Sequence, residues 1–344
     1  MAAEPRLDRA ALLEVLRSSY GLDVEALTFL PGGTAPAYRA EGPGGRVFLK
    51  VLPPTPSGLR VAERVAAEVP LLHALRRSGV LTHVPRPVPT SEGADLAEVE
   101  GHPLVVHGWI EAENLSSEWE EALDDLAPLL GRLHAGTRLL TPALSVFPVP
   151  PEDFDLPFER SLTGDLRGLR AVRPDARPGV RALRDLLLPI EADLERLLMR
   201  ARSFQRAALA RPREFVLCHT DAHGGNVMRD AAGALWIIDW ETARLAPPEH
   251  DLWMLHTRLP EVLPAYEAAA GGKLQPDLDL LGFYFCRRAL EDLAFDVEAI
   301  MHENTRPEQD AANLSVLERY ILPSLAHTEE ELARLEVALR RWSS

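Results

Sequence analysis

Residues 214–255 read EFVLCHTDAHGGNVMRDAAGALWIIDWETARLAPPEHDLWML, and this stretch decides the fold. The apolar run FVLCH predicts a strand that ends in a polar loop, HTDAHGGN, where Asp221 precedes Asn226 by five positions. A short strand, a Gly-containing turn and a second strand, LWIID, follow and end on Asp239. Two carboxylates and one amide therefore leave strand ends joined by one hairpin, which lets them converge on a point.

An oxygen-only set of this kind suits phosphoryl transfer, which needs ligands for a hard divalent cation and one carboxylate to orient an attacking hydroxyl. In that scheme Asp221 accepts the hydroxyl proton, Asn226 and Asp239 bind the metal, and His219 fixes Asp221 by hydrogen bonding within the loop. His223, Glu241 and Cys218 stand nearby in sequence, but none has the spacing of a zinc site.

Outward from this centre, residues 27–52 carry short apolar pieces broken by Gly-Gly and Gly-Pro, the pattern of an antiparallel meander whose last strand, 47–52, holds Lys50. The segment RVAAEVPLLHALRRSG predicts a helix ending at Gly79, with Glu68 near its middle and Pro70 marking a start or a bend. LVVHGWI (104–110) predicts a buried strand, and SSEWEEALDDLAPLLGRLHAG an amphipathic helix capped by Ser116 or Ser117. From about residue 111 the pattern is mostly helical. Residues 141–180, rich in Pro and Arg, show no clean period and predict a loop or an irregular helical insertion.

Strands first and helices after give an α+β, two-lobed design: a small antiparallel-sheet lobe over 1–108 and a larger, mostly helical lobe over 109–344. A chain of 344 residues is long enough for two lobes with a cleft between them.

HTDAHGGN followed by IIDWE resembles the signature of the aminoglycoside phosphotransferase and choline kinase family, relatives of the protein kinases, and with FYFCRRALEDLAFDVEAI it looks closest to the spectinomycin phosphotransferase branch. The resemblance implies a protein-kinase-like fold and transfer of the γ-phosphate of ATP or GTP, with Mg2+, to a hydroxyl of a small molecule. It implies that Lys50 pairs with the α and β phosphates and with Glu68, that Gly32 and Gly33 cover the phosphates, and that the backbone of Gly108, Trp109 and Ile110 forms a hinge against the purine. The acceptor pocket would be built by the C-terminal helices. There Asp292 and Asp296, four residues apart on one helix face, and Glu241 near the catalytic loop, are candidates to grip a cationic acceptor.

The net charge of −15 excludes sequence-independent binding of nucleic acid, which needs a basic stripe, and favours a cationic small-molecule partner. Two of the 37 basic residues are lysines, Lys50 and Lys273, places where a compact ammonium is wanted. Two cysteines, Cys218 and Cys286, cannot make a disulfide framework, and no apolar run is long enough to span a bilayer. The expectation is a cytoplasmic monomer or homodimer, away from membranes. Within the same resemblance, a metabolic kinase of an amino alcohol or sugar and a non-catalytic nucleotide-binding regulator are the competing readings.

Overall fold

The computed structural model describes residues 4–5, 7–31, 35–147 and 149–342. In chain order the main elements are α1 (Arg9–Tyr20), β1 (Ala26–Leu30), β2 (Ala37–Gly42), β3 (Gly45–Val51), α2 (Pro56–Ser78), β4 (Pro87–Val88), β5 (Ala97–Val99), β6 (His102–Gly108), β7 (Ala112–Asn114) and α3 (Trp119–Leu144). There follow α4 (Glu159–Leu169), α5 (Pro178–Leu187), α6 (Glu191–Leu209), β8 (Val216–Cys218), β9 (Val227–Asp230), β10 (Leu235–Ile237), β11 (Arg244–Ala246), α7 (Glu249–Leu252), α8 (Leu259–Ala270), α9 (Leu278–Glu298), α10 (Pro307–Val316) and α11 (Leu322–Trp342). None of the described helices is long and apolar enough to cross a membrane.

The fold is α+β and protein-kinase-like, and the chain divides into two compact units. The first comprises residues 1–151, 215–246 and 262–273; the second comprises 152–214, 247–261 and 274–344.

In the first unit an antiparallel sheet runs β1-β2-β3-β6-β4, with β5 also on β6. Side chains alternate across a strand, so each pairing sorts residues onto two faces. Leu49, Val51, Leu104, Val106, Tyr38 and Ala40 lie on the face packed against Leu12, Leu16 and Tyr20 of α1. The opposite face carries the registered pairs Lys50 with Val105, Phe48 with His107 and Ala37 with Lys50. Val105 and Leu52 pack there with Val65 of α2. Smaller sheets, β10-β9-β7 and β11-β8, carry the polar loop that opened the sequence analysis.

Helix α2 begins at Pro56, with the Thr55 side chain accepting from the Gly58 amide, and runs unbroken through Pro70 to an αL cap at Gly79. Pro70 thus neither starts the helix nor ends it. Apolar burial at Val65, Val69, Leu72 and Leu75 holds the helix despite the lost amide. The expected serine cap of α3 is absent: the helix starts at Trp119, Glu118 occupies the cap position, and no side chain caps it.

In the second unit, the region expected to be a loop or an irregular helical insertion contains α4, whose buried Leu162, Asp165, Leu166 and Leu169 keep helical spacing. The end of α3 and the start of α5 also fall within 141–180. Helix α9 packs extensively on α6 and is buried along most of its length. Glu152, with its side chain sealed from solvent, takes a two-pronged salt bridge from Arg287 on α9, at 3.0 and 3.1 Å. His250 of α7 stacks on Tyr284 at 4.0 Å and contacts both members of that pair, at 3.1 Å to Arg287 and 3.2 Å to Glu152.

Candidate active site

Strand β8 ends at Cys218 and turns sharply. Thr220 sits at φ +75°, a backbone region that β-branched residues avoid, and its Oγ1 is held by the carbonyl and hydroxyl of Thr242 at 3.1 and 2.9 Å. The turn seats His219, fully buried, whose Nδ1 accepts the Asp221 amide at 3.2 Å while Nε2–H donates to the Ile238 carbonyl at 3.0 Å. One imidazole thereby ties the start of the polar loop to the end of β10. Its tautomer follows from those two partners.

Asn226 reaches back across the loop. Its Nδ2 donates to the backbone carbonyl of Asp221 at 2.9 Å and to the Asp221 carboxylate at 3.2 Å. Both amide hydrogens are spent on Asp221, so the remaining side-chain group of Asn226 is a carbonyl oxygen, a ligand for a hard cation. Gly224 allows the loop to close: a Cβ there would lie 2.9 Å from Ser116 Cα and 3.0 Å from the Leu115 carbonyl.

Asp239 follows β10 at φ +65° and receives Lys50 Nζ at 3.2 Å. Lys50 also donates to Glu241 at 2.9 Å, and Arg64 reaches Glu241 from α2 at 3.3 Å. Glu241 is 12% exposed in its side chain and Asp239 37%, so Asp239 is the carboxylate that faces outward. Burial disfavours charge on Lys50, but Asp239 and Glu241 outweigh it and raise its affinity for the proton.

The Lys50–Glu68 ion pair expected by resemblance does not form in this structure. Glu68 is buried and accepts the backbone N–H of Trp240 at 3.2 Å instead. Burial, with Asp239 close by, pushes the Glu68 carboxyl up to about 8. Three carboxylates crowd one ammonium here, and the least solvated of them keeps its proton at neutral pH.

The hinge backbone is only partly available. The amide of Gly108 donates to the Arg86 carbonyl at 2.8 Å and that of Trp109 to the Arg46 carbonyl at 3.3 Å. Ile110 is thus the one of the three whose amide has no backbone acceptor among the described hydrogen bonds. The Trp109 side chain lies at the wall of a cavity of about 650 Å³ rather than in the core, with the Arg39 guanidinium 5.8 Å from its ring. Ile110, Glu111, Asn114 and Asp230 line the same cavity.

The loop Asp221, Asn226 five residues on, the strand-end Asp239 and the sheet Lys50 all lie within residues 26–284, which match a family model described as a phosphotransferase enzyme family. The chain belongs to that family. It is a phosphotransferase. Protein StrN of Streptomyces griseus is 28% identical over 272 residues, covering 74% of this chain and 76% of that protein. A spectinomycin phosphotransferase, solved with ADP and spectinomycin, is similar in fold at 19% identity with a TM-score of 0.70, covering 98% of this chain and 99% of the other. A microcompartment-associated aminopropanol kinase has a TM-score of 0.64 at 17% identity, over 96% and 100% of the two chains.

Within this phosphotransferase the structure brings together Lys50, Glu68, Asp239 and Glu241, and separately holds Asp221, His219 and Asn226 in one loop. Gly32 and Gly33 lie outside the described residues. Asp292 and Asp296, on α9 of the second unit, each have protein partners: Asp292 pairs with Arg288 at 3.0 Å, and the largely buried Asp296 accepts from Asn313 at 2.6 Å. Glu241, expected at the acceptor, is bound to Lys50. Sequence reasoning missed the Trp240 amide and His107, a polar residue within the apolar run LVVHGWI that was itself the available signal.

Proposed function

We propose that this phosphotransferase moves the γ-phosphate of ATP or GTP to a hydroxyl of a cationic, aminoglycoside-like small molecule. The observation that carries the reading is the loop in which the Asn226 amide fixes the Asp221 carboxylate at 3.2 Å, beside a strand-end Asp239 bound to the sheet lysine. Asp221 orients the acceptor hydroxyl and takes its proton as the new O–P bond forms and the bond to the leaving diphosphate breaks. Lys50 exchanges a carboxylate partner for phosphate oxygens when the nucleotide enters.

The oxygens of Asn226 and Asp239 form the donor set that Mg2+ prefers, and these two residues would hold it. When bound, the ion neutralises charge on the transferring phosphoryl group. His219 keeps Asp221 in place through its amide, and Glu68 keeps Asp239 in place through the next amide in the chain.

The cationic character of the acceptor rests on the net charge of −15, because Asp292 and Asp296 are already engaged by Arg288 and Asn313. A coupled assay of ADP or GDP release tests the reading, run with Mg2+ against spectinomycin, several aminoglycosides, choline, ethanolamine, aminopropanol, homoserine and methylthioribose. Turnover of an aminoglycoside-like compound well above background is the expected result. Turnover confined to a small amino alcohol or sugar makes it a metabolic kinase, and nucleotide binding with no turnover of any acceptor makes it a regulator.

A further inference from the structure

His107 stands one residue before the hinge, on the sheet face that carries Lys50. Its cross-strand partner is Phe48, with ring centroids 6.5 Å apart, and Lys50 lies two residues further along the same strand and face. The side chain is 7% exposed. Nε2 is sealed from water and has no hydrogen-bond partner among the described residues.

Buried polar atoms are nearly always paired, so an orphaned nitrogen on the sheet face that carries Lys50 marks a place where a ligand atom completes the pairing. Burial first, and the Lys50 charge second, push this histidine down to about 4, so the ring is neutral at pH 7. A neutral imidazole whose Nε2 no protein group engages can present that nitrogen as donor or acceptor. The hinge amide left over by the backbone hydrogen bonds, that of Ile110, is three residues downstream.

We propose that His107 reads the substituent at position 6 of the nucleotide's purine, accepting from the amino group of adenine or donating to the oxo group of guanine. This rests on the nucleotide-site reading above and extends it to the base. Because one nitrogen serves either purine through the two neutral tautomers, the enzyme takes ATP and GTP alike. Phe48, directly across the strand pair, supplies an apolar wall beside the reading atom.

The test measures binding, not turnover, and so needs no acceptor. Calorimetry with Mg2+ compares ADP with purine riboside 5′-diphosphate, which lacks the 6-amino group, and GDP with 2-aminopurine riboside 5′-diphosphate, which lacks the 6-oxo group. In the unaltered enzyme each parent should bind roughly three- to tenfold more tightly than its 6-unsubstituted analogue, the size of one net hydrogen bond. In His107→Leu both gaps should close, and in His107→Gln, whose amide can also donate or accept, they should persist.

Equal binding of parent and analogue by the unaltered enzyme overturns the proposal even when the Leu variant does not fold. So do gaps that survive in a folded His107→Leu. Preference of more than a hundredfold for one purine overturns the two-tautomer reading, whereas no binding of any of the four nucleotides overturns the nucleotide site itself.

Discussion

Glu68 of α2 accepts the backbone N–H of Trp240 at 3.2 Å, across 172 residues of sequence, and so grips the chain one residue past Asp239. The expected partner of that carboxylate, Lys50, is held instead by Asp239 and Glu241. The glutamate positions the Asp239 turn, and the lysine is neutralised by acids.

This arrangement makes stability pH-dependent in a definite direction. Glu68 has its folded pKa raised from 4.5 to about 8, so the folded state is penalised as pH rises through that window. Glu68→Gln keeps a carbonyl for the Trp240 amide and abolishes the penalty. The midpoint of thermal unfolding of the variant, relative to the unaltered chain, should therefore climb between pH 5 and pH 9. A difference that stays constant over that range contradicts the assignment.

Lys50→Met should hurt folding as well as nucleotide binding. It leaves Asp239 without its cation and Glu241 with Arg64 alone, beside the buried Glu68, at a cost of about 3 kcal/mol near neutral pH by the measure of broken buried pairs. Denaturant unfolding checks this. A variant as stable as its parent at pH 8 would show that the lysine is not their counterion.

In the second unit, Glu152 and Arg287 form a buried, two-pronged pair with His250 against both. Although burial opposes it, the neighbouring His250 and the two-pronged Arg287 guanidinium hold the Glu152 carboxyl well below the usual carboxylate range. Its stabilising effect is present above about pH 4.5 and is lost as pH falls below it. Glu152→Met alone should cost about 3–5 kcal/mol, and Glu152→Met with Arg287→Met should cost less than that single change, because the stranded charge is gone. Unfolding free energies of the three proteins decide it; simple additivity would sink the idea.

The geometry of the candidate site was legible because it is local: Asp221, Asn226 and Asp239 fall within one loop and hairpin, and strand periodicity places them. Sheet and helical parts were legible for the same reason, through the alternation in 47–52 and the spacing of leucines in α3. What escaped depends on partners far away in sequence. Nothing near Glu68 shows that it meets Trp240, and nothing near Asp296 shows that it meets Asn313, whereas the Arg288–Asp292 pair, four residues apart on one helix, was within reach of helical spacing. Helix α4 was legible only as an irregular helical insertion or a loop, because a buried Asp165 interrupts its apolar stripe; that carboxylate is satisfied by His302 at 2.7 Å.

The division of labour between Asp221 and Asp239 is the central claim, and Asp221→Ala tests it most directly, by paired measurement of ADP affinity with Mg2+ and of phosphoryl transfer to the acceptor found in the release assay. Transfer should fall by roughly 10²- to 10⁴-fold, the usual worth of a positioned base, while ADP affinity stays within about twofold. Full transfer in this variant, or loss of ADP binding in step with transfer, would contradict the account.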